Sequence, residues 1–148
     1  MAQDPYLEFP NYDLEVVQGS DYKYHFVWKD GDKVPYNLTG ATAEMQIRRS
    51  FLSEKLIFWV RGSNATGGGY TKEFYATGGV SGSASILLNV NANGVTGTTG
   101  GILIQIGNQM TKNFPVNFHF YDMEVTFPDG TKDKPIRGRV SVPYEITK

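Results

Sequence analysis

Alternation with a period of two runs through this chain and leaves little room for helices. In Asp21–Lys29, Tyr22, Tyr24, Phe26 and Trp28 share one face, while Asp21, Lys23, His25 and Lys29 share the other; Val27 is the exception. Successive strand side chains point to opposite faces, so this pattern predicts a strand with one buried side. Ala41–Arg48 repeats it, with Ala41, Ala43, Met45 and Ile47 inward and Thr42, Glu44, Gln46 and Arg48 outward. Ser85–Val90 places Ile86, Leu88 and Val90 on one face, and Ile102–Ile106 does the same with Ile102, Ile104 and Ile106. Leu14–Gln18 reads as an extended strand ahead of these. A helix needs apolar residues at three-to-four spacing, which these stretches lack.

The connections carry turn chemistry. Asp30-Gly31-Asp32-Lys33-Val34-Pro35 and Phe127-Pro128-Asp129-Gly130-Thr131 combine Gly for positive φ, Asp for local backbone bonding and Pro for fixed φ. The second joins Phe118–Phe127 to Lys134–Val142 in the clearest hairpin. Its parity sends Tyr121, Met123 and Val125 inward with Ile136, Val140 and Val142, and sets Asp122 and Glu124 outside with Arg137 and Arg139. Gly107–Phe114 has room for one helical turn before Pro115. Seven to nine such strands predict an all-β, immunoglobulin-like antiparallel sandwich, because a parallel α/β arrangement needs crossover helices. The expected organisation is an extended arm over residues 1–12, then one domain over 13–148 with a glycine-rich loop at 61–84 that holds a short strand at Lys72–Ala76.

Composition narrows the class. At 148 residues, 40% hydrophobic and 14% aromatic, the chain can bury a sizeable core and is not a disordered segment. A net charge of −1 without a basic patch disfavours nucleic-acid partners. The absence of cysteine removes disulfides, thiolate metal sites and a cysteine nucleophile. The start, Met1-Ala2-Gln3-Asp4-Pro5, lacks the features of a secretory signal, and no apolar run reaches the roughly 18 residues of a membrane span. The expectation is a soluble chain made and assembled in a cytoplasm, with no membrane partner.

No constellation for chemistry emerges. His25 and His119 are the two histidines. His25 reads as a solvated residue on a polar strand face, and His119 as a core or rim residue. Ser81 lacks the Gly at position 83 that a nucleophile elbow requires, and Gly68 stands where a phosphate loop needs Lys. Asp129 and Asp133 are accounted for by the turn. The expectation is therefore no enzyme activity, no metal and no cofactor.

The aromatics are more informative. Tyr6, Phe9 and Tyr12 crowd the N-terminal arm; Phe58 and Trp59 sit in the run Leu56–Val60, and Tyr70 and Phe74 follow the first glycines. These seven are the candidate interface, because Tyr and Trp bury much area with few rotamers to lose. Core packing is the competing reading for Phe58 and Trp59, and an arm folded back on its own domain is that for the arm. A carbohydrate- or receptor-binding module would also carry aromatics on a sandwich, but on an exposed face; the best stripe here opposes a charged face.

Three segments resemble a recurrent family of small virion proteins of tailed phages. They are Val16-Val17-Gln18-Gly19-Ser20-Asp21, then Phe26-Val27-Trp28-Lys29-Asp30, and Asn37-Leu38-Thr39-Gly40 leading into Met45-Gln46-Ile47-Arg48. The end is similar too, through Tyr121-Asp122-Met123-Glu124-Val125, Gly138-Arg139-Val140-Ser141-Val142 and Glu145-Ile146-Thr147-Lys148. Residues 51–100 depart from the pattern, being longer and richer in glycine. The family is similar to the immunoglobulin-like amino-terminal domain of phage upper baseplate proteins. The resemblance implies a structural virion role in the tail or baseplate, with other virion proteins as partners and several copies in a symmetric assembly. Capsid decoration or a neck position is the alternative placement. It implies no catalytic residue.

Overall fold

The structure is a computed structural model that describes residues 12–50, 56–63, 72–76 and 83–144, the backbone alone at 63 and 72–76. It is an all-β sandwich of two packed sheets. The strands are β1 (Leu14–Glu15), β2 (Tyr22–Val27), β3 (Thr42–Arg48), β4 (Leu56–Ser63), β5 (Lys72–Ala76), β6 (Ala84–Leu88), β7 (Gly101–Ile106), β8 (Asn117–Thr126), β9 (Lys132–Asp133) and β10 (Arg137–Val142). A single helical turn, α1 (Asn108–Thr111), precedes β8.

The larger sheet runs β1-β10-β8-β3-β4-β5, with β9 paired to β8; the smaller runs β2-β7-β6. All pairings are antiparallel except β1 against β10, which is parallel. This is the arrangement of an immunoglobulin variable-type sandwich, in which two extra strands extend the sheet that holds the last hairpin.

The core follows the alternation. Ala43, Met45 and Ile47 of β3 meet Tyr121, Met123 and Val125 of β8, and Ile86, Leu88, Ile102, Ile104 and Ile106 close over them from the other sheet. Burying each large apolar side chain stabilises by about 1.5–3 kcal/mol. No disulfide ties the sheets together, since the chain has no cysteine. The inward stripe Tyr22, Tyr24, Phe26 and Trp28 packs against this core but stays half-buried, because β2 lies at a sheet edge.

Several expectations are corrected. The strand at 56–63 runs through Arg61, Gly62 and Ser63, so the glycine-rich connection does not begin at 61. Gly62 belongs in the strand because it abuts the backbone of β6: a Cβ there would lie 2.0 Å from Ile86 O. The short strand expected at Lys72–Ala76 is present as β5 and pairs with β4. Val90 does not continue the face of Ile86 and Leu88. Asn89 takes φ 57°, which turns the chain over, and Val90 joins Leu87 and Leu103 in a second small core on the opposite face. His25 is not fully solvated; its Nε2 lies 2.9 Å from Val90 O at the rim of that second core. The outer charges pair differently too: Asp122 bonds Lys134 at 2.7 Å and Glu124 bonds Lys132 at 3.3 Å, while Arg139 reaches Asp13 at 3.3 Å. Exposed pairs of this kind contribute only about 0–1 kcal/mol.

Candidate interaction surface

The larger sheet turns one face to the core and the other outward. On the outward face β8 contributes Phe118, Phe120, Asp122 and Glu124; β3 contributes Glu44, Gln46 and Arg48; β4 contributes Trp59 and Arg61. Their placement follows from register: Gln46 stands between Asp122 and Trp59, and Arg48 lies beside Phe120. A polar ladder runs along β3. Gln46 Nε2 donates to Glu44 Oε1 (2.6 Å), and Arg48 Nη2 donates to Gln46 Oε1 (2.8 Å). Arg61 lies 3.6 Å from Glu44 and its guanidinium covers the Trp59 ring at 5.0 Å.

Two features of this face stand out. Trp59 Nε1 is shut off from solvent with no hydrogen-bond partner among the described residues. A buried donor without an acceptor costs about 1–3 kcal/mol. At the start of β8, Phe118 is 60% exposed, with the Arg139 guanidinium 5.3 Å from its ring centre. Tyr144, 71% exposed, follows β10. Beside Phe120 a shallow pocket of about 100 Å³ is lined by Gln46, Arg48, Ser50 and Asp122.

The seven aromatic candidates divide. Tyr6, Phe9 and Tyr70 lie outside the described residues, and Phe74 is described only as a backbone position of β5 paired with Val60. Tyr12 is 46% exposed; its N–H donates to Arg137 O, and its carbonyl accepts from the Tyr121 hydroxyl at 2.7 Å. Phe58 is fully buried against Phe114, so it is core rather than interface. Trp59, one residue on, faces outward. Sequence reasoning missed Phe118 and Tyr144. Strand parity alone would have put Phe118 opposite the inward His119, and it was the residue's apolar character that hid it.

Titratable groups serve structure. His119 is buried, and its Nε2 donates to Pro115 O at 2.6 Å, four residues upstream. It fixes the corner between α1 and β8, as the tyrosine corner does in immunoglobulin domains. Burial pushes the Tyr121 and Tyr22 hydroxyls well above the ordinary tyrosine range. Among the described residues no group of three or more His, Asp or Glu is placed to hold a metal ion, and no helix is long and apolar enough to cross a membrane.

No protein-family model matches the chain, and no curated protein matches it. The outward face carries aromatic area from Phe118 and Trp59, with the Arg139 and Arg61 guanidinium groups beside the rings.

Proposed function

We propose that the protein is a structural virion component of a tailed bacteriophage, an adaptor or brace in the tail or baseplate assembled through protein–protein contacts. The motif series supports this reading, and the motifs up to Val142 fall on described elements of the sandwich, while Glu145–Lys148 lies outside the described residues. Gln18-Gly19-Ser20-Asp21 makes the crossing from β1 to β2: Gln18 Nε2 donates to Phe114 O, Gly19 takes φ 82°, Ser20 O accepts from Thr111 Oγ1, and Asp21 accepts from Asn108 N–H. Asn37-Leu38-Thr39-Gly40 turns into β3, with Leu38 fully buried and Gly40 at φ 78°. The last motifs are the paired strands β8 and β10. A chain that keeps these residues in this order keeps the sandwich they specify. The outward face of the larger sheet then supplies the contact, through Phe118, Trp59 and the arginines beside them.

Immunogold labelling of purified particles tests the placement. Label at the tail end supports the tail or baseplate role. Label on the head or neck moves the protein to decoration or closure, and absence of label from intact and disrupted particles refutes a virion role. Phe118→Ser, on an exposed site, is expected to leave the fold unchanged and lower incorporation.

One observation favours a second reading. Trp28, Tyr36 and Phe127 gather at the loop end of the sandwich, with ring centres 4.2–5.9 Å apart, and Asp133 and Asp30 act electrostatically on the Tyr36 hydroxyl. Half-buried rings beside carboxylates suit a carbohydrate or receptor. Binding to a glycan array with a defined preference, abolished by Tyr36→Ala, would favour this reading.

A further inference from the structure

Strand β2 lies at the edge of the smaller sheet. It pairs with β7 on one side, and no described residue pairs with the other. Register fixes which backbone groups face outward there. Trp28 N–H donates to Gly100 O at 2.9 Å, which sets Trp28 and Gly100 in the register of a hydrogen-bonding pair, although Gly100 N–H goes to Asn89 Oδ1 instead. Such pairs alternate with unbonded ones along an antiparallel ladder. Phe26, Tyr24 and Tyr22 therefore bond to β7, opposite Ile102, Ile104 and Ile106. Gly101 agrees: opposite Val27, it sends its N–H to Thr98 O instead of to β2. The N–H and C=O groups of Lys23, His25 and Val27 consequently point away from the sheet. An edge of this kind is a template for another strand.

A second observation points the same way. Tyr22, Tyr24, Phe26 and Trp28 face the core yet remain half-buried, so the mouth of the sandwich beside β2 lacks cover. The chain enters the described structure at that mouth. Tyr12 is fixed from both sides, by its N–H on Arg137 O and by the Tyr121 hydroxyl on its carbonyl, and it acts electrostatically on Tyr24 of β2. Eleven residues precede it. The steps from Tyr12 back to Phe9 span up to about 10 Å, which matches the roughly 10 Å between packed sheets. Proline cannot donate to a ladder, so Tyr6-Leu7-Glu8-Phe9, between Pro5 and Pro10, is the nearest uninterrupted run able to pair. In an extended run Leu7 and Phe9 share a face, which suits the uncovered aromatic stripe.

We propose that the free edge of β2 is a strand-acceptor site and that its occupant is the chain's own segment Tyr6–Phe9, which crosses from Tyr12 and completes the smaller sheet as a fourth strand. A tether this short holds the segment at an effective concentration on the order of millimolar or more, which favours the same molecule over a neighbour. The proposal concerns this edge alone and stands apart from the virion reading.

Amide hydrogen exchange by NMR on the full chain tests it. In the wild type the amides of Lys23, His25 and Val27 are expected to be protected, equally at low and high protein concentration. Adjacent residues of a strand send their N–H groups opposite ways, so Leu7→Pro or Glu8→Pro removes the donor that faces β2. The effective one should lower protection of these three amides at least about tenfold, while those of Ile102 and Ile104 stay protected. A chain starting at Tyr12 should show the same loss, reversed by adding a peptide of residues 1–11. Protection unchanged in both proline variants would overturn the proposal. So would protection that grows with concentration together with the measured mass, which would assign the edge to a second copy.

Discussion

Gly62→Ala probes a place where β4 lies against the backbone of β6. A Cβ at Gly62 would stand 2.0 Å from Ile86 O, 2.9 Å from its carbonyl carbon and 3.2 Å from its Cβ. Real Cβ contacts essentially never fall below 3.0 Å, so β6 must retreat by at least 3.0 − 2.0 = 1.0 Å. The obstacle is strand backbone, and no change of rotamer relieves it. β6 carries Ile86 and Leu88 into the core, so its retreat opens a gap above Met45 and Ile104. A gap of about 0.5–1 Å forfeits a quarter to a half of each dispersion contact. Overpacking typically costs about 1–3 kcal/mol, and the rigid obstacle puts this site at the upper end, about 3 kcal/mol. With a urea slope of about 2 kcal/mol per molar, the midpoint should fall by about 1.5 M. Gly31→Ala is the control: its Cβ would meet nothing within 4 Å. A Gly62→Ala midpoint within about 0.3 M of wild type would refute this account of how the sheets close.

Other outcomes follow from buried polar groups. The Tyr121 hydroxyl is pushed up by burial first and then by Tyr22, Tyr24, Asp13 and Tyr12, and that of Tyr22 by burial and Tyr24. Folding thus disfavours ionisation: this stabilisation is complete below the ordinary tyrosine pKa of about 10 and is lost as pH rises from there toward the higher folded values. Urea midpoints should hold to about pH 10 and fall above it, less steeply in Tyr121→Phe. Asn89→Ala removes acceptance from Gly100 N–H (3.1 Å) and Leu38 N–H (3.3 Å) and donation to Thr39 Oγ1 (3.3 Å), at a residue with φ 57°. It should cost about 2–3 kcal/mol by thermal melting, and Asn89→Gly about 1 kcal/mol less, because glycine tolerates that φ.

Strand identity and inward faces were legible wherever apolar and polar residues alternate cleanly, as in β2, β3 and β8. The run Leu56-Ile57-Phe58-Trp59-Val60 has no alternation, so nothing in it says which side faces the core. The structure resolves the matter with a register shift between Ile47 and Arg48, and Ile57 and Phe58 are both buried. Val90 was misplaced because one left-handed residue reverses the parity of everything after it, and asparagine does not announce that conformation. The turn at 127–131 was legible: Phe127 N–H bonds Thr131 O, and Asp129 accepts from Thr131 N–H. Ion-pair partners were not: the expected strand began at Lys134, but β10 begins at Arg137, and Lys134 reaches Asp122 from ahead of it. The interface fared least well. Aromatic content marked residues of interest, but exposure depends on neighbours far along the chain, which is why Phe58 proved to be core and Phe118 was passed over.

The turn at Asn89 has a consequence for how the molecule can be used. By sending Val90 to the back of the smaller sheet, it gathers Leu87, Val90 and Leu103 under the loop that follows, where Gly94 lies against both leucines. Much of the back of β6 and β7 is thus already spent on the domain's own interior. The domain has a front and a back: a neighbour approaching from behind meets a closed loop, and one approaching the larger sheet meets aromatic rings and charge. If the outward face of the larger sheet is the contact proposed above, that difference between the two sides fixes which way the domain turns toward a neighbour.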